Sequence, residues 1–250
     1  MKVLEYLLPK GLNLNAENKW CPGCGHGIIV RIIAEAAKEL DLDERVIMID
    51  DVACGAFAKF SLQYNTVCSA HGRTIITAAG VKRARPQAIV VAHPGDGSAY
   101  SIGIESTIHC ALRNENIVAV VVNNSVFGMT GGQMSPTSPI GMKTSSSLKG
   151  RDSVKNGSPF DVVKTLKDYN IAYLARGSVD SPAQVVKSCK MIKKAMNKQL
   201  AGEGFCLVEI LSPCPTNWGL APDKAMEYIR NVQSKLYPLG EFVDKGAEAR

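Results

Sequence analysis

A chain of 250 residues, 46% hydrophobic and 21% charged, has ordinary globular composition and is long enough for one large domain or two small ones. Its 29 Lys and Arg against 23 Asp and Glu leave a net charge of +6, spread without a long basic block; this argues against nucleic acid and fits an anionic cofactor or an acidic redox partner. No apolar stretch reaches the roughly 18–20 residues that span a bilayer. The start, MKVLEYLLPKGLN, lacks the apolar core of a signal peptide, so a cytoplasmic protein is expected, where disulfides are rare and the eight cysteines need another account.

In chain order, a Trp20–Cys24 segment precedes a helical pattern at 26–40. An apolar run at 45–50 (RVIMID) reads as a buried strand and is followed by a helix at 72–84. A strand at 88–93 (AIVVAH), a helix at 99–113 and a strand at 117–123 (IVAVVVN) come next. The segment 128–159 is rich in Gly, Ser, Thr and Pro, with little apolar periodicity. Its length makes it a disordered linker or a functional loop, and its place directly after a strand favours a loop over a ligand. Beyond it lie a helix at 160–168, a strand at 171–175 (IAYLA), a helix at 181–200, a strand at 205–211 (FCLVEIL) and a helix at 222–236. The stretch 237–250 reads as a surface extension. Strands apolar on both faces, alternating with helices, predict a single α/β domain over 1–250. It is doubly wound, with a mostly parallel sheet and helices on both faces, and its ligands sit at the carboxyl ends of strands.

Two of those ends carry oxygen donors. Asp96 lies in Gly95-Asp96-Gly97 just past the strand 88–93, and Asn124 follows the strand 117–123. A right-handed βαβ unit brings such ends together, which makes a hard-cation site that prefers phosphate oxygens as further ligands. The glycines let a diphosphate approach the backbone, and a helix starting near Ser98 offers N–H groups.

Four cysteines share the same edge. Cys21-Pro-Gly-Cys24 precedes the first helix, Cys54 follows the strand 45–50, and Cys214 follows the strand 205–211. Gathered beside a diphosphate site, four thiolates suggest a [4Fe–4S] cluster, while zinc is permitted by softness and not excluded by spacing. The other cysteines, Cys68, Cys110, Cys189 and Cys206, read as structural, with Cys68 in a loop.

The ordered set "WCPGCGH", "ACG", "HGR", "GDGS", "NNSVFGMTGGQMSPT" and "SPCPTNW" resembles the beta subunits of 2-oxoacid:ferredoxin oxidoreductases from Trp20 to about Trp218. The resemblance implies a thiamine diphosphate (TPP) diphosphate-binding domain. It implies Mg²⁺ on Asp96, Asn124 and the Val126 carbonyl, and a [4Fe–4S] cluster on Cys21, Cys24, Cys54 and Cys214. Val52, Ala53, Cys54 and Gly55 would line the thiazolium, Gly97, Ser98, Gly128 and Met129 the diphosphate, and His71 would face the cofactor as the catalytic histidine. His26 would tune the cluster. The implied reaction is oxidative decarboxylation of a 2-oxoacid with coenzyme A to acyl-CoA and CO₂, reducing ferredoxin, with the cofactor as electron sink. The implied hetero-oligomer adds an alpha subunit with the pyrimidine-binding domain and its activating Glu, and a ferredoxin-like subunit. Phe57 and Gly131 stand where some members have coenzyme A-contacting lysines, with Lys59 offset. "GMTGGQ" resembles the branched-chain or 2-oxoglutarate members, and the absence of an evident binder for a second carboxylate favours a branched-chain substrate. A non-redox TPP-dependent decarboxylase subunit and a zinc-stabilised binding protein are the alternatives.

Overall fold

The computed structural model describes residues 8–13 and 15–246; the first seven residues of the stretch read for targeting and the last four of the 237–250 tail lie outside them. One sheet organises the chain. Its parallel strands are β1 (Val46–Asp51), β2 (Asn65–Ser69), β3 (Ile89–His93) and β4 (Val118–Asn123), then, after a small antiparallel pair β5 (Val126–Phe127) and β6 (Gln133–Met134), β7 (Tyr173–Ser178) and β8 (Cys206–Leu211). A last strand, β9 (Gly240–Asp244), pairs antiparallel with β7, and the order across the sheet is β2-β1-β3-β4-β8-β7-β9. The chain runs from β1 outward to β2 and returns on the other side as β3, so the strand direction of travel reverses between β1 and β3, the crevice where such sheets bind ligands.

Alternation along the central strands explains two cores. Met48, Val91, Val120 and Val208 face the helices His26–Glu39 and Pro182–Leu200. Ile49, Ala92, Val121 and Leu207 face the opposite layer, with helices Thr74–Ala84, Ile104–Leu112 and Val162–Leu166. This is the predicted doubly wound α/β architecture. Among the described residues no helix is long and apolar enough to cross a membrane.

Several elements differ from expectation. β2 (NTVCS) is a half-exposed edge strand, so Cys68 lies in a strand rather than a loop. The tail read as a surface extension supplies β9, and Tyr237 is buried. The strand placed at 171–175 spans Tyr173–Ser178, and the helix at 222–236 is interrupted by a wide π-helical turn at Ile229–Gln233. The segment 128–159 is ordered around Arg151, whose guanidinium donates to the carbonyls of Ser135, Pro136, Ser138, Asn156, Gly157 and Ser158. Six oxygens on one planar donor hold a loop that has no core of its own.

Candidate functional site

Because β1, β3, β4 and β8 are mutually parallel, their carboxyl ends share one rim. Cys54, Asp96, Asn124 and Cys214 all follow those ends, as the sequence predicts. A small cavity of about 30 Å³ there is lined by Asp51, Ala53, Cys54, Gly55, His71, Asp96, Gly97, Ser98, Asn124, Val126, Gly128 and Met129, with His26. Every predicted thiamine-site residue is in that lining except Val52, whose side chain is exposed. The cavity has room for a water or two, so the chain presents one wall of a cofactor site. A far larger cavity, about 1000 Å³, opens between Arg45, Asn65, Val67 and Arg85 at the amino ends of β1 and β2. It holds none of the motif residues, and the smaller one is the candidate site because the buried titratable groups converge on it.

The oxygen donors are built in. Asp96 is 1% exposed, and its Oδ2 accepts hydrogen bonds from Ser135 Oγ at 2.6 Å and from Thr137 Oγ1. Asn124 Oδ1 accepts from Val126 N at 3.2 Å, closing the turn between them, and Trp218 Nε1 donates to the Asn124 carbonyl. Burial pushes the Asp96 carboxyl up to about 6 although both hydroxyls pull it down. A cation must therefore displace a proton at lower pH. Divalent-cation binding should weaken as pH falls below about 6, with proton uptake by the free site. Calorimetry in two buffers of different ionisation enthalpy reads this, and a flat profile would exclude Asp96 from the binding group.

His71 reaches the cavity from the loop after β2. Its Nδ1 donates to Asp51 Oδ2 at 3.0 Å, while Asp51 Oδ1 accepts from Gly72 N and Thr74 Oγ1 at 3.3 Å. The hydrogen-bond pattern assigns the proton to Nδ1 and leaves Nε2 for the site. The loop can lie this close only because Gly103 has no side chain: a Cβ there would meet the Gly72 carbonyl at 2.2 Å. Gly97 is constrained likewise, since a Cβ would sit 2.3 Å from the Phe127 ring.

The four thiols gather behind this wall. The turn Cys21–Cys24 closes with Cys24 N donating to the Cys21 carbonyl, and Gly23 packs on Pro215 and Pro222 beside Cys214. Trp20 Nε1 donates to the Cys54 carbonyl at 2.8 Å, and Asn217 Nδ2 donates both to Cys214 Sγ at 3.2 Å and to the Gly128 carbonyl. Burial, aided by the proximity of Cys214, raises Cys24 to about 12 and Cys54 to about 11. Buried thiols that raise one another stay protonated until a cationic centre compensates them. His26 stacks on Trp20, and burial next to His93 lowers it to about 3, so it is neutral. Beside it lie Asp50 and His93, register partners in β1 and β3 with Nδ1 and Oδ1 3.5 Å apart; both are fully buried, and neither side chain makes a hydrogen bond in the described chain.

A known family, described as thiamine pyrophosphate enzyme, C-terminal TPP binding domain, matches residues 53–210. The chain belongs to that family. Within it, this TPP-binding chain groups with subunits of 2-oxoacid:ferredoxin oxidoreductases. It is 37% identical over 240 residues to ketoisovalerate oxidoreductase subunit VorA of Methanothermobacter thermautotrophicus, covering 96% of this chain and 50% of the relative. It is 34% identical over 211 residues to 2-oxoglutarate synthase subunit KorB of Archaeoglobus fulgidus, covering 84% and 75%. The chain thus spans about half the length of the VorA relatives. A solved 2-oxoglutarate:ferredoxin oxidoreductase from Magnetococcus marinus, with 2-oxoglutarate, coenzyme A and succinyl-CoA bound, superposes with a TM-score of 0.77 at 27% identity, over 97% of this chain and 86% of that one.

Three groups of site residues escape the sequence reading. Asp51 ends an apolar strand and meets His71 only after β2 returns. Ser135 and Thr137 lie in the segment read as a loop over the ligand, where nothing in the composition singles out these two hydroxyls. Glu209 and Arg176 carried a usable signal, since a charge inside an apolar strand needs a buried partner.

Proposed function

We propose that the chain is the TPP-carrying subunit of an assembly that oxidatively decarboxylates a branched-chain 2-oxoacid with coenzyme A and passes electrons to ferredoxin. The observation that carries this reading is the shared rim: oxygen donors on Asp96 and Asn124 follow the ends of parallel strands, Cys54 and Cys214 follow two more of those ends, and Cys21 and Cys24, from the turn before the first helix, lie close to them. The residues fit both groups. Asp96, Asn124 and the Val126 carbonyl would hold Mg²⁺ and through it the diphosphate, with Gly97, Ser98, Gly128 and Met129 alongside; Cys21, Cys24, Cys54 and Cys214 would hold a [4Fe–4S] cluster. Bound there, the thiazolium supplies an electron sink and the cluster a one-electron acceptor. A non-redox decarboxylase has no use for those thiols.

His71 Nε2, oriented by Asp51, would orient the substrate. The VorA likeness favours 2-oxoisovalerate over 2-oxoglutarate. A one-walled site implies that an alpha subunit closes it and brings the activating Glu, and that a ferredoxin-like subunit takes the electrons. Turnover of the anaerobically purified native assembly on a panel of 2-oxoacids tests the reading. The expected result is coenzyme A-dependent ferredoxin reduction fastest with 2-oxoisovalerate. CO₂ release without acceptor reduction would replace it with the non-redox decarboxylase. His71→Ala should cut turnover roughly 10²-fold, and Asp51→Asn should cut it by less while shifting its pH profile.

A further inference from the structure

Both hydroxyls that reach Asp96 take the same oxygen. Ser135 Oγ lies 2.6 Å from Oδ2, Thr137 Oγ1 donates to that atom as well, and neither takes Oδ1. A carboxylate oxygen has two lone-pair sites, so two donors saturate it. The donors themselves cannot drift. Ser135 and Thr137 are buried, Arg151 Nη1 holds the carbonyls of Ser135, Pro136 and Ser138, and Tyr237 Oη donates to the Thr137 carbonyl at 2.7 Å. Ser138 Oγ ties the same turn to the Ser125 carbonyl at 2.6 Å, next to Asn124. The Thr137 proton has a second acceptor, Asn123 Oδ1 at 3.0 Å, but the charged carboxylate is the stronger of the two.

We propose that Ser135 and Thr137 make Asp96 a one-oxygen ligand and thereby select a small octahedral cation over calcium at this site. The proposal rests on the reading of Asp96 as a cation ligand. Mg²⁺ demands short, near-ideal octahedral coordination, for which a single carboxylate oxygen suffices. Ca²⁺ is larger and gains from bidentate carboxylates. With Oδ2 locked into the protein, bidentate binding is closed off. The loop thus carries a specificity device, anchored by Arg151 on one side and by Tyr237 on the other.

The test uses the native assembly stripped of divalent cations, with TPP present. Mn²⁺ binding is followed by the electron paramagnetic resonance of the free ion, and Mg²⁺ and Ca²⁺ are measured by competition. Ser135→Ala/Thr137→Val should weaken Mg²⁺ binding roughly 10–100-fold, as loss of groups that orient a metal ligand does. Ca²⁺ should lose less, so that the ratio of the two constants moves toward Ca²⁺ by about tenfold, the worth of one hydrogen bond to a charged group. Thr137→Ser should keep the wild-type ratio, and the single variants Ser135→Ala and Thr137→Val carry the test if the double variant does not fold. Equal loss of both cations, or no loss, in a variant with an unchanged thermal melt overturns the proposal. Asp96→Asn separates the two claims. If it binds Mn²⁺ normally, the ligand assignment falls and takes the proposal with it. If it fails to bind while the hydroxyl variants keep wild-type selectivity, only the proposal falls.

Discussion

On the proposed ligand set, replacing Cys214 with serine should take iron and acid-labile sulfide from about four of each per chain to near zero. Cys214 is 8% exposed, at the end of β8, and its sulfur already accepts a hydrogen bond from Asn217. Serine is shorter, harder and does not ionise at neutral pH, so it cannot replace a buried thiolate on iron. The control is Cys206→Ala. Cys206 is also buried and its thiol is pushed well up by burial, yet it lies inside β8 on the face packed against helices. That variant should keep its iron and lose only stability, about the cost of a small cavity. Iron and sulfide analysis of anaerobically purified protein separates the two. Full iron content in Cys214→Ser would remove it from the ligand set, and loss of iron in both would reduce the effect to misfolding. If the proposed cluster accepts the electrons, turnover should fall together with the iron content.

The central strands were legible because apolar runs such as IVAVVVN are buried on both faces, and that leaves a mark independent of any partner. Edge strands leave none. β2 pairs on one side only and is polar and half exposed, while GEFVD in β9 mixes charges with apolar residues because one of its faces meets solvent. The apolar run IAYLA stops at Ala175, whereas β7 continues through Arg176-Gly177-Ser178. What makes it a strand is Glu209 opposite, in register on β8. The site divides in the same way. Donors placed directly after strands could be read by position, and Asp96, Asn124, Cys54 and Cys214 were. The Ser135 and Thr137 hydroxyls reach Asp96 across 39 and 41 residues of chain, and no local period records a contact made by a folded loop. His71 stands in a motif, but its hydrogen-bond partner Asp51 carries no such mark, since a carboxylate at the end of MIDD has no visible reason until the chain returns through β2.

Arg176→Met should destabilise the fold by about 3–5 kcal/mol, the cost of leaving a buried charge uncompensated. Arg176 and Glu209 are each 1% exposed and pair through Nε and Oε2. Arg176 Nη2 also donates to Asp161 Oδ1 at 2.6 Å, and its guanidinium lies over the Tyr237 ring. Burial works against the Arg176 charge, and the Glu209 and Asp161 carboxylates overcome it, holding the guanidinium above its usual range. Glu209 Oε1 meanwhile accepts from Asn123 Nδ2 at 3.0 Å, one residue before Asn124. Removing the cation alone therefore strands Glu209 in the sheet, whereas Arg176→Met/Glu209→Gln removes both charges and keeps an acceptor for Asn123. The double variant should recover most of the loss, as buried ion pairs often do when replaced together. Chemical denaturation of the two singles and the double gives the coupling energy. A single variant costing under about 1 kcal/mol would mean the pair is solvated in solution. A double as damaged as the Arg176 single would mean that the arginine acts through Asp161 and Tyr237, tying the C-terminal segment to the sheet, and not through the charge beside the cation site.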